Sequence, residues 1–449
     1  DCRLIPLDKK PGVRPIGVGE ILRRIVGKAI VSVVKLEIME SAGSLQLCAG
    51  LPGGCEAAVH AMSSIFQEED TDAILLVDAE NAFNSLNRNV LLHNIQYICP
   101  PVSTYVRNCY KIPSRLFITG GSEIQSKEGT TQGDPLAMPV YAIGITPLLA
   151  TLKREVPTVK EAAFADDLSG GDKLQELRAW WNALETHGPD LGYYPNGGKS
   201  WLVLKSEGKR KEAEDLFQGT GIKITVQGHK YLGGHLGNQD GSSRYAMDLA
   251  ENWCTQLRAL SAIAKSQPQA AYACFVSGFR HKLTYFIRTF PELHHHLELF
   301  DAVIDSDFIP AITEGHVCSV DERLLLSLPS RMGGMSIPVF SRIAPHELSN
   351  SRKVTKQLVS NILQQESKLV LNLDELRKQK LEIKEERQKR HNEDLLALKE
   401  KMTPDKLRAL ELSSMKGASA WLTTQPLESE NFTLTKREFF DAVRLRYRW

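Results

Sequence analysis

Short apolar runs and stretches of helical spacing alternate along the first 240 residues, and length and flanking residues tell them apart. Ala73 to Val77 is apolar at every position and is closed by Asp78, the pattern of a strand covered on both faces. Apolar residues at Ile21, Ile25, Ala29, Val33 and Leu36 predict a helix within Glu20 to Glu40, and the preceding Asp8 to Gly19 is turn-rich. Further helices are predicted over Cys55 to Phe66, ended by the acidic run Glu68 to Asp72, and over Asn87 to Tyr97. Ser114 to Gly129 predicts a hairpin turning at Gly120 and Gly121. A buried helix then runs from Leu136 to Leu149, with Pro135 in an early position where a missing N–H costs nothing. Thr158 to Leu168 predicts two short strands joined at Ala165, Asp166 and Asp167, followed by a helix over Lys173 to Thr186 and a loop over Gly188 to Gly198. Trp201 to Leu204 predicts a strand, and Ile222 to Val226 with Tyr231 to Leu236 a hairpin about Gly228. Helical spacing dominates from Arg244 onward, which places a change of domain near residue 240.

The chain has 449 residues, enough for a large core divided among two to four units. No apolar run approaches the length needed to cross a bilayer, so no membrane role is expected. With 55 basic against 54 acidic residues, affinity for a polyanion has to come from local patches and from metal ions. One such patch is residues 1–35, with eight Lys or Arg against three acids. The eight Cys are scattered without a Cys-x-x-Cys pair, which fits a reduced compartment and gives no zinc signature. The absence of a starting Met or leader, and an opening that reads as mid-domain, predict a fragment. Residues 374–401 hold nine basic and eight acidic side chains among Leu376, Leu381, Leu395 and Leu398. They predict a charged helix laced with i,i+4 pairs, a nucleic-acid or partner contact being the other reading.

Three polar clusters carry the chemistry: Asp78 after its strand, the turn Gly129 to Asp134, and the pair Asp166 and Asp167. An Asp after a buried strand can cap the next helix, and an Asp-Asp pair alone is an ordinary surface turn. In this order they read as a nucleotidyl-transfer site. That reaction activates a primer hydroxyl for in-line attack on the alpha phosphorus and neutralises the leaving pyrophosphate. Two Mg2+ ions roughly 3.5 to 4 Å apart supply these needs, held by carboxylates and phosphates. Asp78 and Asp166 are the first-choice ligands, with the Ala79 carbonyl assisting. Asp167 takes a weaker metal role because strand alternation turns it to the other side.

On these residues the chain resembles the reverse transcriptase domain, in particular that of retrotransposons without long terminal repeats. Val13 to Gly17 is similar to the fingers motif and Val77 to Asn84 to the first palm motif. Thr131 to Leu136 is similar to the Gln-Gly segment, and Phe164 to Asp167 to the aspartate box, with Phe where many members have Tyr. Gly192, Asn196, Lys199 and Ser200 resemble the following motif, and Tyr231 to Gly233 the primer-grip turn. The likeness covers about residues 1–240 and then weakens to a general one with thumb and linker. The tail from Lys416 to Tyr447 resembles the stretch that precedes a zinc knuckle and endonuclease in related elements.

The resemblance implies an α+β right-hand polymerase: truncated fingers and the start of the palm in 1–70, and a palm of antiparallel sheet backed by helices in 71–240. A helical thumb in 241–330 and a mainly helical extension in 331–449 complete it. Such a protein copies an RNA template from a DNA primer with deoxynucleoside triphosphates, using two Mg2+ that Mn2+ can replace. Asp78, Asp166 and Asp167 would be catalytic. Arg14 would grip the beta and gamma phosphates, helped by Lys9 or Lys10, for which an exposed turn is equally open. Phe83 would exclude a 2'-hydroxyl, its other reading being core packing. Gln132 and Gly133 would approach the nucleotide or template, or form a simple turn. Lys199 would hold the pyrophosphate or face solvent. Phe164, Tyr231, Leu232 and Gly233 would meet the primer, although the glycine cluster also suits a loose hairpin. Arg280 and Lys282 would face the duplex from a thumb helix whose aromatics are equally explained by packing. His294 to His296 cannot all face one ion and read as a solvated helix end. The resemblance further implies an intracellular protein, nuclear if priming occurs at chromosomal sites. Oligomeric state is not legible. An intron-maturase-like polymerase and an inactive nucleic-acid-binding remnant are the competing classes.

Overall fold

A strand buried on both sides needs two covering layers, and β3 (Ala73–Val77), buried at all five positions, is the centre of the principal sheet. The computed structural model describes residues 1–8 and 13–449. Its contacts divide the chain into Asp1–Gly241 with Thr355–Asn372, and Ser242–Val354 with Leu373–Trp449. The architecture is mixed α+β, with more helix than strand and mostly antiparallel sheets.

In the first unit β1 (Cys2–Asp8) pairs antiparallel with β2 (Val13–Gly19), a hairpin where the sequence shows only a turn-rich stretch. Prolines and glycines hid it, because Pro6 and Pro15 face each other across the ladder and contribute no donors. β1 also pairs in parallel with β4 (Ser114–Ile118), which forms the expected hairpin with β5 (Glu123–Ser126). The principal sheet adds β6 (Lys160–Phe164), β7 (Asp167–Asp172), β8 (Trp201–Leu204) and β9 (Lys223–Thr225), in the order β6-β7-β3-β8-β9. β9 runs parallel to β8 rather than pairing with the segment after Gly228. The hairpin there is β10 (His229–Tyr231) with β11 (Gly234–Leu236), turning at Leu232 and Gly233. Both turn residues have positive φ, +44° and +85°, as a two-residue turn matched to strand twist requires.

Ala73, Leu75 and Val77 join a core with residues of helices Arg88–Ile98, Ala137–Glu155 and Leu174–Leu191. On the other face Ile74 and Ile65, of helix Gly54–Gln67, crowd Gly171, where an added Cβ would lie 2.5 Å from each. The long helix expected over Glu20 to Glu40 is two, Ile21–Val33 and Lys35–Ala42. Pro135 lies before the helix that starts at Ala137, and Asp134 accepts the Leu136 N–H at 2.9 Å.

The second unit is helical around the buried rings of Trp253, Tyr272, Phe275, Phe300, Phe308, Phe340 and Phe439. Buried Asp301 accepts the N–H groups of Phe340 and Ser341 at 2.8 and 2.9 Å, satisfying a helix start. The charged helix forms as Leu373–Lys401. It makes the internal pairs Arg377–Asp374 and Lys389–Glu393, but also pairs outside itself, Arg387–Glu347 at 2.7 Å and Arg342–Asp394 at 2.6 Å. Among the described residues no helix is long and apolar enough to cross a membrane.

Glu161 in β6 is fully buried, and loss of hydration pushes its carboxyl up from 4.5 to about 7, opposed by the Trp180 indole N–H at 2.9 Å and by Lys153. Its folded value exceeds its unfolded one, so its stabilising share is complete below 4.5 and is lost as pH rises through about 7. The thermal midpoint followed by circular dichroism is therefore expected to fall more between pH 5 and pH 8 in the parent than in Glu161→Gln. Parallel curves would remove Glu161 as the responsible group.

Candidate active site

Register brings the acids together. Val77 stands opposite Leu168 in the β3–β7 ladder, so the next position on β3, Asp78, and the preceding one on β7, Asp167, fall at the same sheet end. Phe164 pairs with Asp167 across the β6–β7 hairpin, leaving Ala165 and Asp166 as a two-residue turn just beyond. Directly opposed positions share a face, so Asp167 lies on the side of Asp78 and not on the other side as strand alternation through the turn predicted, because Asp166 belongs to the turn and not to the strand. Desolvation first, then the charges of Asp166 and Asp78, raise the Asp167 carboxyl to about 6, so both other acids act on it.

Each acid is held through its backbone. The Asp78 N–H donates to Ser200 Oγ at 3.1 Å, and its carbonyl accepts from Asn196 N–H at 2.8 Å. Buried Ser200 in turn donates to the Asn196 carbonyl at 2.8 Å. Ala79 bridges to Pro195 in a position where its own carbonyl faces away from that loop. Lys199 Nζ lies 3.9 Å from Asp78 Oδ1, an exposed pair worth little to stability. Buried Tyr193 donates its hydroxyl to the Asp166 carbonyl at 2.9 Å, and the Gln46 amide bonds both backbone groups of Ala165. Sequence reasoning singled out Ser200 but neither Tyr193 nor Gln46. Their only signal is polarity inside apolar surroundings, which does not reveal a distant partner.

Phe83 stacks on Tyr141, with ring centroids 4.4 Å apart and planes 22° apart. Tyr141 is fully buried, and its hydroxyl has no hydrogen-bond partner among the described residues. Burial, then the charges of Asp166, Cys48 and Asp167, push that hydroxyl well above the usual tyrosine range. The Phe83 carbonyl accepts the Thr130 N–H at 2.6 Å, which joins the aromatic pair to the Gln132–Gly133 turn. The Gln132 carbonyl accepts from the Gly17 N–H at 2.7 Å, tying that turn to β2. Gly133 has φ +109°, and a Cβ there would meet the Gly17 carbonyl oxygen at 2.6 Å, so both its conformation and its surroundings demand glycine.

Under this turn, Asp134 pairs with Arg23 at 2.7 Å and accepts the Tyr110 hydroxyl at 3.1 Å. The guanidinium groups of Arg23 and Arg88 both lie over the Tyr110 ring, 5.5 and 5.4 Å from its centroid. Buried Arg88 donates to the carbonyls of Ser126, Glu128 and Gly129.

Arg14 is exposed in β2 opposite Leu7, with no ion pair among the described residues, while Lys9 and Lys10 lie outside the described residues. Phe164 is half-buried at the end of β6. Tyr231 is buried and shares a 3.0 Å hydrogen bond with Ser169 of β7, so the hairpin leaves Leu232 and Gly233, not the tyrosine ring, for any outside contact. Arg280 and Lys282 belong to the second unit. Arg280 donates to the Ser336 carbonyl at 3.0 Å, and exposed Lys282 lies 6.0 Å from the Trp253 ring centroid.

The donor set at the sheet end is all oxygen and mutually repulsive, which suits a hard divalent cation. No three His, Cys, Asp or Glu side chains among the described residues form a ready-made cage.

Compared with protein families and with curated protein sequences, the chain matches none. Among solved structures it is similar to telomerase from Candida albicans in complex with a TWJ fragment of telomeric RNA, at 11% identity and TM-score 0.40, over 82% of this chain and 66% of that one. It is also similar to telomerase from Candida tropicalis in complex with such a fragment, at 12% identity and TM-score 0.41, over 81% and 63%. The chain thus spans a little under two thirds of the length of each.

Proposed function

We propose that the chain is an RNA-directed DNA polymerase of the reverse-transcriptase kind, from a retrotransposon without long terminal repeats, adding deoxynucleotides to a primer 3'-hydroxyl. The observation that carries this reading is the register that sets Asp78 and Asp167 at one sheet end with Asp166 in the adjoining turn. In this reading residues 1–70 give fingers and the start of the palm, 71–240 the palm, 241–330 the thumb and 331–449 an extension.

Asp78, Asp166 and Asp167, beside the Ala79 carbonyl, would hold two Mg2+, which would supply activation of the hydroxyl and neutralisation of the pyrophosphate. Arg14 grips the outer phosphates, and Lys199 brings a positive charge beside Asp78 to the leaving group. The ring of Phe83, backed by Tyr141, excludes a ribose 2'-hydroxyl, and Gln132 with Gly133 meets the nucleotide or template. RNA template, DNA primer and deoxynucleoside triphosphates are the partners.

The first test is primer extension on poly-rA and poly-dA with Mg2+ or Mn2+. The parent is expected to extend and Asp166→Asn to lose at least about a hundredfold in rate, and equal extension would remove Asp166 from the mechanism. Phe83→Ala is expected to raise ribonucleotide incorporation relative to deoxynucleotide by about tenfold or more, since a steric clash is relieved. Unchanged discrimination would end the sugar-sensing role.

The third test uses the raised carboxyl. Below about 6 Asp167 holds a proton that a cation must displace, so the half-saturating Mg2+ concentration should fall between pH 5.5 and pH 7.5 and then level off. Asp167→Asn should flatten that dependence, and an unchanged slope in the variant would assign it elsewhere.

A further inference from the structure

β6 is the edge strand of the principal sheet, and the outward backbone groups of Glu161, Ala163 and Ala165 have no neighbouring strand. Each is satisfied by another route. Gln365 donates its amide N–H to the Glu161 carbonyl at 2.9 Å and accepts the Glu161 N–H at 3.0 Å. Ala163 accepts from the Leu47 N–H and donates to the Leu45 carbonyl, both at 2.8 Å. Gln46 donates to the Ala165 carbonyl at 3.0 Å and accepts the Ala165 N–H at 2.9 Å. Two side-chain amides thus reproduce the donor and acceptor of an absent strand at either end of β6, 204 and 119 residues away in sequence.

The two ends differ in what they hold. Glu161 lies in regular strand, whereas Ala165 is the first residue of the two-residue turn and has φ +57°. A side chain with a Cβ is disfavoured in that region, and such a residue persists only where its surroundings over-determine it. Gln46 is fully buried, so neither of its bonds competes with bulk water. Asp166 and Asp167 follow directly.

Resting on the proposed function, we propose that Gln46 is a positioning residue: its amide holds Ala165 in the left-handed region and thereby sets Asp166 and Asp167 for a divalent cation. Gln365 makes the same bonds on the same edge and acts on stability alone, because the Ala163 bridge stands between it and the turn.

The test is Mn2+ binding to the full chain at pH 7.5, read from the electron paramagnetic resonance of free Mn2+, beside the circular dichroism midpoint. Asp166→Asn defines the site. Gln46→Met keeps the volume and removes both bonds, and is expected to weaken Mn2+ binding roughly tenfold, the scale of two lost hydrogen bonds at a strained turn. Gln365→Met is expected to lower the midpoint and leave Mn2+ binding within about twofold, as for independent sites. Ala165→Gly removes the Cβ that disfavours positive φ, and in the Gln46→Met background it should restore Mn2+ binding to within about threefold of the parent. Equal weakening by Gln46→Met and Gln365→Met, no weakening by Gln46→Met, or no rescue by Ala165→Gly each overturns the positioning role. If Gln46→Met alone does not fold, a folded double variant with near-parental Mn2+ binding upholds it, and a double variant that fails to fold or to bind overturns it. If Asp166→Asn binds Mn2+ as the parent does, the proposed function fails. Loss in Asp166→Asn without loss in Gln46→Met sinks this inference alone.

Discussion

The register of β7 between β3 and β6 is the constraint on which the rest of the site depends. Because strand side chains alternate, a slip of one residue would carry Asp167 to the opposite face and put Leu168 in its place. Several contacts forbid that slip. Gly171 sits where Ile65 and Ile74 leave no room for a Cβ, and the slip that puts Leu168 in place of Asp167 would bring Asp172 there. Ser169 donates to the Ala162 carbonyl at 3.1 Å and shares its hydroxyl with Tyr231, pinning β7 to β6 and to the β10–β11 hairpin together. Burial of all of β3 makes the ladder costly to shift, since any slip would exchange matched apolar contacts for mismatched ones.

A second constraint is the need to satisfy buried charge. Arg88 is nearly inaccessible, and burial lowers its pKa from the ordinary value, so its guanidinium has to be met on all sides. The carbonyls of Ser126, Glu128 and Gly129 meet it, and this is what holds the loop leading into the Gln132–Gly133 turn. Asp134 at the end of that turn is committed in the same way to Arg23, Tyr110 and the Leu136 N–H. Arg88 and Asp134 are therefore committed to partners within the protein. Asp78, Lys199 and Arg14, left facing outward, are among those to which a ligand role is proposed.

The carboxylates themselves work against the fold. Asp167 is raised by desolvation and by its two acidic neighbours, and Glu161 by burial four residues before Ala165. The hairpin edge that carries them is closed by side-chain amides rather than left open to another chain.

The amino-acid sequence by itself determined the elements whose physics is local. The apolar run Ala73 to Val77, the strand Trp201 to Leu204 and the β4–β5 hairpin with Gly120 and Gly121 at its turn are all legible from period, length and turn chemistry. Three polar clusters in a characteristic order were legible in the same way, as candidates for one site. Tertiary structure alone decided what meets across the chain. It made a hairpin of the Pro- and Gly-rich start, turned the later hairpin at Leu232 rather than Gly228, and set β9 parallel to β8. It also brought Gln46 to Ala165, Tyr193 to Asp166 and Gln365 to Glu161. The reason is that periodicity reports which face of an element is buried, whereas a buried hydrogen bond joins two groups whose sequence neighbourhoods carry no mark of each other.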